Sequence, residues 1–286
     1  MTGGVKIIEC PRDAMQGWSH FIPTAEKVAY INKLLKVGFD TIDFGSFVSP
    51  RAIPQMKDTA LVLDQIDFSD SASKLLAIVA NLRGAEEAVA FDQIQYLGYP
   101  FSVSETFQRR NANAGIADSL ETVSRISELC STHNKKLVVY ISMAFGNPYG
   151  DPYAPEIVFN WVDKITKIGV DVISLADTVG LASATQVFEL THYVINHLAL
   201  QEVGVHLHSG PDNWKEKLQA ALDAGCLRFD GAINGIGGCP MAGDELVGNM
   251  NTEWMMRYFQ SKGIQLLIDE PALGAASLYA SKIFIQ

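Results

Sequence analysis

The chain predicts one α/β domain folded as a closed barrel of eight parallel strands, a (β/α)8 barrel, with a short extra helical segment at its C-terminal end. Three observations carry this expectation. Short β-like runs alternate eight times with longer amphipathic segments, the pattern of consecutive βαβ units. The alternation fills roughly 250 residues, the usual span of a closed barrel. No low-complexity tract, long linker or charge block divides the 286 residues, so positions 1–286 read as a single barrel domain. An open doubly wound sheet has the same alternation and is the alternative fold.

The elements follow in order. Residues 5–8 form an apolar first strand, and 25–37 carry apolar residues at helical spacing, with Gly38 as the stop. Residues 41–44 are a short second strand. The third, 74–80, has Leu75, Leu76, Ile78 and Val79 in nearly continuous sequence, as strands buried on both faces do. Residues 85–91 are helical and 93–97 a fourth strand. A clear helix over 119–133 leads to a fifth strand at 137–142, rich in Val and Ile. The helix over 155–168 is closed by Gly169, and the sixth strand is 170–175. Residues 183–198 are helical and 204–208 form the seventh strand. The helix over 214–224 is closed by Gly225, and 228–231 complete the set. From about Thr252 the tail adds one or two helices.

Composition narrows the function classes. A net charge of −10 argues against a nucleic-acid binder, which needs a basic face. Cys10, Cys130, Cys226 and Cys239 form no C-x-x-C pair, so neither structural zinc nor a redox dithiol is signalled. Scattered cysteines in a chain of this size fit the reducing cytoplasm. No charged segment with an apolar run precedes the first strand, so no signal peptide is expected. No apolar run reaches the length of a membrane span.

A barrel places its chemistry at the C-terminal ends of its strands. Arg12-Asp13 follow the first strand, Asp43 ends the second, Ser142 the fifth, Asp177-Thr178 follow the sixth, and His206 and His208 end the seventh. Polar loops explain Asp and Thr at such places; they explain His-x-His and Arg-Asp less well. In an extended strand His206 and His208 put two imidazoles on one face, about 7 Å apart. Two hydrogen-bonded core histidines and a loop ion pair are the plainer alternatives. Together with Asp13 and Asn249 the histidines make a mixed nitrogen and oxygen set, suited to Mg2+ or Mn2+ rather than structural zinc. Four protein ligands leave two octahedral positions for a chelating substrate. Arg12, charged at any working pH, can stabilise an enolate or carboxylate oxygen. On that reading Arg12 serves turnover more than stability. Residues 235–240, Gly-Ile-Gly-Gly-Cys-Pro, lack the Lys and Ser/Thr of a phosphate-binding loop. They place Cys239 where a thiol can transfer a proton; a small buried Cys is the alternative.

Longer motifs add a resemblance. They are Glu-Cys-Pro-Arg-Asp-Ala-Met-Gln at 9–16, Ser-Phe-Val-Ser-Pro at 46–50 with Pro-Gln-Met at 54–56, and Ala-Asn-Leu-Arg-Gly at 80–84. Ile-Ser-Leu-Ala-Asp-Thr-Val-Gly at 173–180, His-Leu-His at 206–208 and Gly-Gly-Cys-Pro at 237–240 complete them. From about Val5 to Phe259 the chain resembles 3-hydroxy-3-methylglutaryl-CoA (HMG-CoA) lyase, within the metal-dependent barrel lyases and aldolases that include the isopropylmalate and homocitrate synthases. The resemblance implies Asp13, His206, His208 and Asn249 as ligands of a divalent cation, Mg2+ or Mn2+. It implies Arg12 as enolate stabiliser and Cys239 as loop acid/base, so that Arg12, Asp43, His206 and Cys239 form the candidate catalytic set. The implied reaction is cleavage of an acyl-CoA thioester, HMG-CoA, to acetyl-CoA and acetoacetate, as in leucine degradation, by a cytoplasmic homodimer with no nucleic-acid or membrane partner. Ala14 stands where the lyases usually carry Gly, Asp43 where they carry Glu, Ser209 where they carry Asp and Asn147 where Cys is frequent. The stretch from Cys239 to Asn249 is one residue longer. These departures bear on substrate identity more than on reaction type. A condensing acyltransferase joining acetyl-CoA to a 2-oxo acid is the alternative, though such synthases generally lack Gly-Gly-Cys-Pro. A metabolite-binding barrel would need neither Arg12 nor Cys239.

Overall fold

A computed structural model describes residues 4–198, 200–238 and 247–285. Eight strands, β1 (Lys6–Glu9), β2 (Thr41–Ser46), β3 (Lys74–Ile78), β4 (Ile94–Ser102), β5 (Lys136–Ser142), β6 (Val172–Asp177), β7 (Glu202–Leu207) and β8 (Arg228–Gly231), form a closed barrel in sequence order. Every pairing is parallel, and β8 closes on β1 with Lys6 opposite Arg228 and Glu9 opposite Gly231. That closure excludes the open-sheet alternative. The connections carry α1 (Pro11–Gln16), α2 (Thr24–Leu34), α3 (Thr59–Leu63), α4 (Leu82–Val89), α5 (Glu105–Ala112), α6 (Ile116–Thr132), α7 (Pro155–Thr166), α8 (Ala184–His197) and α9 (Trp214–Asp223). The expected extension is α10 (Thr252–Ser261) and α11 (Glu270–Ile283). It returns to α2, where Tyr279 stacks on Tyr30 with ring centroids 6.4 Å apart. No helix among the described residues is long and apolar enough to cross a membrane.

Strand alternation sorts the side chains into two cores. Ile7, Leu175, Val205 and Phe229 join the large apolar core between sheet and helices. Their neighbours face the lumen. One part of the lumen is apolar, with Leu76, Ile78, Tyr96, Val138, Tyr140 and Val172. Another is polar and equally buried, with Asp43, Ser174, His206, Arg228 and Asp230. Gly204 makes room for the Arg228 stem, since a Cβ there would stand 3.0 Å from its Cδ.

The structure departs from the sequence expectation in identifiable places. β4 runs on through Gly98 and Pro100 to Ser102, pairing β5 all the way; β3 has already ended at Ile78 opposite Gly98, so proline's missing N–H faces no further strand on that side. Helix α5 was not expected, although Ser104 caps it, Glu105 opens it and Arg109 and Arg110 close it. Arg12 and Asp13 lie on α1 rather than in a loop. His208 lies one residue beyond β7, in an antiparallel bridge to Asn249.

Candidate active site

At the C-terminal mouth, β1 turns into α1 within one residue. Cys10 is the cap and Pro11 the first helical residue, where a missing N–H costs nothing. This abrupt turn points Arg12 and Asp13 into the mouth, both buried. From β2, Asp43 meets Arg12 side-on: Nε lies 3.2 and 3.0 Å from its two carboxylate oxygens, and Nη2 lies 2.5 Å from Oδ2. Nη1 donates to Asp13 Oδ1 at 2.9 Å and to Gln16 Oε1 at 2.9 Å. Gln16 in turn donates to Asp13 Oδ1 at 2.8 Å. Burial disfavours both carboxylates, and the balance differs. Asp13, against Arg12, both histidines and Asn249, is nevertheless held down at about 2. In Asp43 burial prevails over Arg12, aided by Asp13 and Asp230, and its carboxyl rises to about 6. Burial works against the Arg12 cation, but its two carboxylates outweigh that and raise its pKa.

The histidines come from β7 and the residue just after it, with only β8 between them and β1. Donor atoms of Asp13, His206 and His208 all lie within 4.8 Å of one another. The two imidazole centroids are 5.2 Å apart. Each ring is held through Nδ1: His206 by Asp230 Oδ2 at 3.1 Å, His208 by the Val247 carbonyl at 2.8 Å. Burial lowers His208, and His206 adds to this; in His206 the Asp230 carboxylate overcomes burial and raises it. Asp230 was not a sequence candidate. It becomes visible only when β7 and β8 pair with His206 opposite Asp230. Asn249 arrives by the bridge to His208, and its amide nitrogen donates to Asp13 Oδ2 at 2.7 Å and to the Ile236 carbonyl at 2.9 Å. Gly237 closes this side with φ +108°, and a Cβ there would stand 2.5 Å from the Asn249 amide and 3.0 Å from the Asp13 carbonyl. Ser209 turns away, with its hydroxyl 3.6 Å from the Met250 sulfur.

These groups face a cavity of about 410 Å3. Arg12, Asp13, Tyr140, Ser142, Thr178, His206 and His208 form its inner end; Ser49, Ala52, Ile53 and the end of α5, Arg110 to Asn113, form its outer wall. Asp43 lies behind Arg12, fully buried. Cys239 lies outside the described residues. Cys10, Cys130 and Cys226 are unpaired and buried, and burial lifts all three thiols, the last two to about 12.

Fold and site together define a barrel enzyme with a buried Arg-Asp pair, two imidazoles and an amide gathered at one end of a cavity. The chain belongs to the HMGL-like family, whose profile matches residues 5–277. It is 32% identical over 284 residues to the (R)-citramalyl-CoA lyase of Chloroflexus aurantiacus, covering 95% of this chain and 88% of that protein. It is 30% identical over 274 residues to a hydroxymethylglutaryl-CoA lyase of Bacillus subtilis, covering 96% and 91%. Against the mitochondrial hydroxymethylglutaryl-CoA lyase of Arabidopsis thaliana, also 30% identical, it covers 97% of itself but spans 59% of the relative's length. Among solved structures, an HMG-CoA lyase from A. baumannii in complex with coenzyme A and 3-methylmalate superposes with a TM-score of 0.91 at 30% identity, over 99% of this chain and 93% of that one. The HMG-CoA lyase of Brucella melitensis gives 0.91 at 28%, over 99% of each.

Proposed function

We propose that the chain is a divalent-metal-dependent carbon–carbon lyase that cleaves HMG-CoA, or a close hydroxyacyl-CoA, to acetyl-CoA and a keto acid, acetoacetate in the case of HMG-CoA. The observation that carries this is the convergence of Asp13, His206 and His208 donor atoms within 4.8 Å beside Arg12 at the end of the cavity. An ionised carboxylate and two buried imidazoles fit Mg2+ or Mn2+. Asn249 would be the fourth ligand once its amide turns to present Oδ1; as placed, it steadies Asp13 through its nitrogen. When bound, the cation supplies a Lewis acid that lowers the pKa of the substrate's tertiary hydroxyl.

The protein's own groups do the rest. Of the five guanidinium N–H groups of Arg12, Nε, both of Nη1 and one of Nη2 are taken. The remaining Nη2 N–H is free to meet the oxygen on which enolate charge develops. Asp43 holds that guanidinium in place, and Asp230 fixes which nitrogen His206 would turn to the cation. The hydroxyl passes its proton to solvent acting as base, its oxygen forms the new carbonyl, the C–C bond breaks, and the electron pair passes to the thioester enolate. The Cys239 thiol then protonates the enolate carbon. The unpaired described cysteines suit a cytoplasmic enzyme, and the family likeness favours a homodimer. The deciding assay incubates purified protein and Mg2+ or Mn2+ with a panel of hydroxyacyl-CoA thioesters. Metal-dependent release of acetyl-CoA supports the reading. Condensation of acetyl-CoA with a 2-oxo acid, with no cleavage of any thioester, overturns it.

A further inference from the structure

We propose that Lys217, which does not border the cavity, is a positioning residue that sets where the His208 imidazole stands by gripping the His208 carbonyl. The proposal rests on the metal-site reading above. Lys217 lies on α9 and is 1% exposed. Its ammonium has three N–H groups, and each has an acceptor: Asp177 Oδ2 at 2.7 Å, the Gly180 carbonyl at 3.0 Å and the His208 carbonyl at 2.9 Å. The acceptors come from the end of β6, the loop after it and the residue after β7. Each Asp177 oxygen is engaged too, since its Oδ1 accepts the Ala182 N–H at 3.1 Å.

A charge pair alone would need only Asp177. Two of the three bonds go instead to main-chain carbonyls, so the side chain defines backbone geometry at two neighbouring strand ends. His208 lies past the last residue of β7, and among the described residues the hydrogen bonds beside it outside the strand ladder come from one segment: Ser209 N–H to the Gly248 carbonyl, Met250 N–H to the Leu207 carbonyl, and Nδ1 to the Val247 carbonyl. Lys217 supplies the opposing hold.

Charge and position predict opposite signs. Removing a cation from the neighbourhood of a divalent-metal site strengthens metal binding by simple electrostatics. Loosening a ligand weakens it, typically by 10-fold or more. The test is Mn2+ titration of the full chain, following free Mn2+ by electron paramagnetic resonance, in wild type, Lys217→Met, Asp177→Asn and the double variant, with thermal melts alongside. The double variant leaves no buried charge unpaired, so it separates positioning from a stranded Asp177. We expect Mn2+ affinity to fall roughly 10-fold in both Lys217 variants, with the melting temperature recovering in the double variant, and the Mn2+ affinity of Asp177→Asn alone to stay close to wild type. Wild-type or tighter affinity in the double variant overturns the proposal, as does failure of both Lys217 variants to fold, which would make Lys217 a purely structural clamp. A wild type that binds no Mn2+ overturns the metal-site reading and the proposal together; wild-type binding with unaltered Lys217 variants overturns the proposal alone.

Discussion

Arg12 at the mouth and Arg228 near the floor are both buried in one barrel, 8% and 1% exposed, yet their surroundings treat them in opposite ways. All three Arg12 nitrogens donate to named acceptors within 3.2 Å. Among the described residues none of the three Arg228 nitrogens has a hydrogen-bond partner; the carboxylate nearest to it is Asp40 at 3.9 Å, and its guanidinium lies 5.6 Å from the Tyr96 ring centroid. Around it Tyr140 Oη, Ser174 Oγ and Asp230 Oδ1 are likewise unpartnered. Burial of a charge therefore does not mark a site in this fold. What distinguishes Arg12 is that carboxylates fix its donors at the end of the cavity, the arrangement the proposed reaction would use to meet developing charge.

The sharpest way to break this contrast is Arg12→Gln. It should lower kcat by roughly 10²- to 10³-fold. It should also lower the melting temperature, because Asp43 and Asp13 lose a buried partner. The sequence-based expectation is that Arg12 serves turnover more than stability; turnover measured beside a thermal melt checks both halves. Next in size is Cys239→Ser, expected to cost roughly 10²-fold in turnover with Mn2+ affinity unchanged. Thiol alkylation should inactivate, with substrate protecting, since Cys10, Cys130 and Cys226 are shielded; a fully active serine variant would make the loop thiol dispensable.

A smaller effect belongs to Glu9, which ties β1 to the chain beyond β8 by accepting from the Ile233 N–H and the Thr252 hydroxyl. Burial lifts its carboxyl to about 8 despite those two bonds. The folded chain then holds a proton that the unfolded chain has released above about 4.5. Stability should fall as pH rises between these values and level off above the upper one. Glu9→Gln should flatten that slope, seen as thermal melts converging across pH 5 to 8.5; an unchanged slope would assign it to other groups. The smallest effect is Arg228→Met. Its ion-pair partner Asp40 keeps Lys74 at 3.0 Å, so no carboxylate is stranded, and the variant should keep its turnover and melt at or above the parent temperature. A loss of turnover approaching that of Arg12→Gln would erase the distinction between mouth and floor.

Much of this was legible locally. Eight apolar runs and their glycine stops gave the strands, and strand-end logic brought Arg12, Asp13, Asp43, His206 and His208 to one mouth. What was hidden depends on pairing across the chain. Asp230 serves His206 only through the β7–β8 register, and Asn249 approaches through its nitrogen because a bridge fixes it there. Lys217 lies in a stretch that reads correctly as helix, but a charged residue in a helix reads as solvated until the strand ends that receive it are in place. Helix α1 was missed because six residues are too few to show a period.

Gly237 carries one more consequence. There is no space for even a methyl group between the Asn249 amide and the Asp13 backbone, so any side chain at 237 must displace one of these two proposed cation donors. The outer wall of the cavity, at Ala52, Ile53, Asn111 and Ala112, has no hydrogen bonds to Asp13, His206 or His208 among the described residues. On the proposed reading, substitutions at 237 would be felt by the reaction itself, whereas substitutions on the outer wall would be free to alter acyl preference.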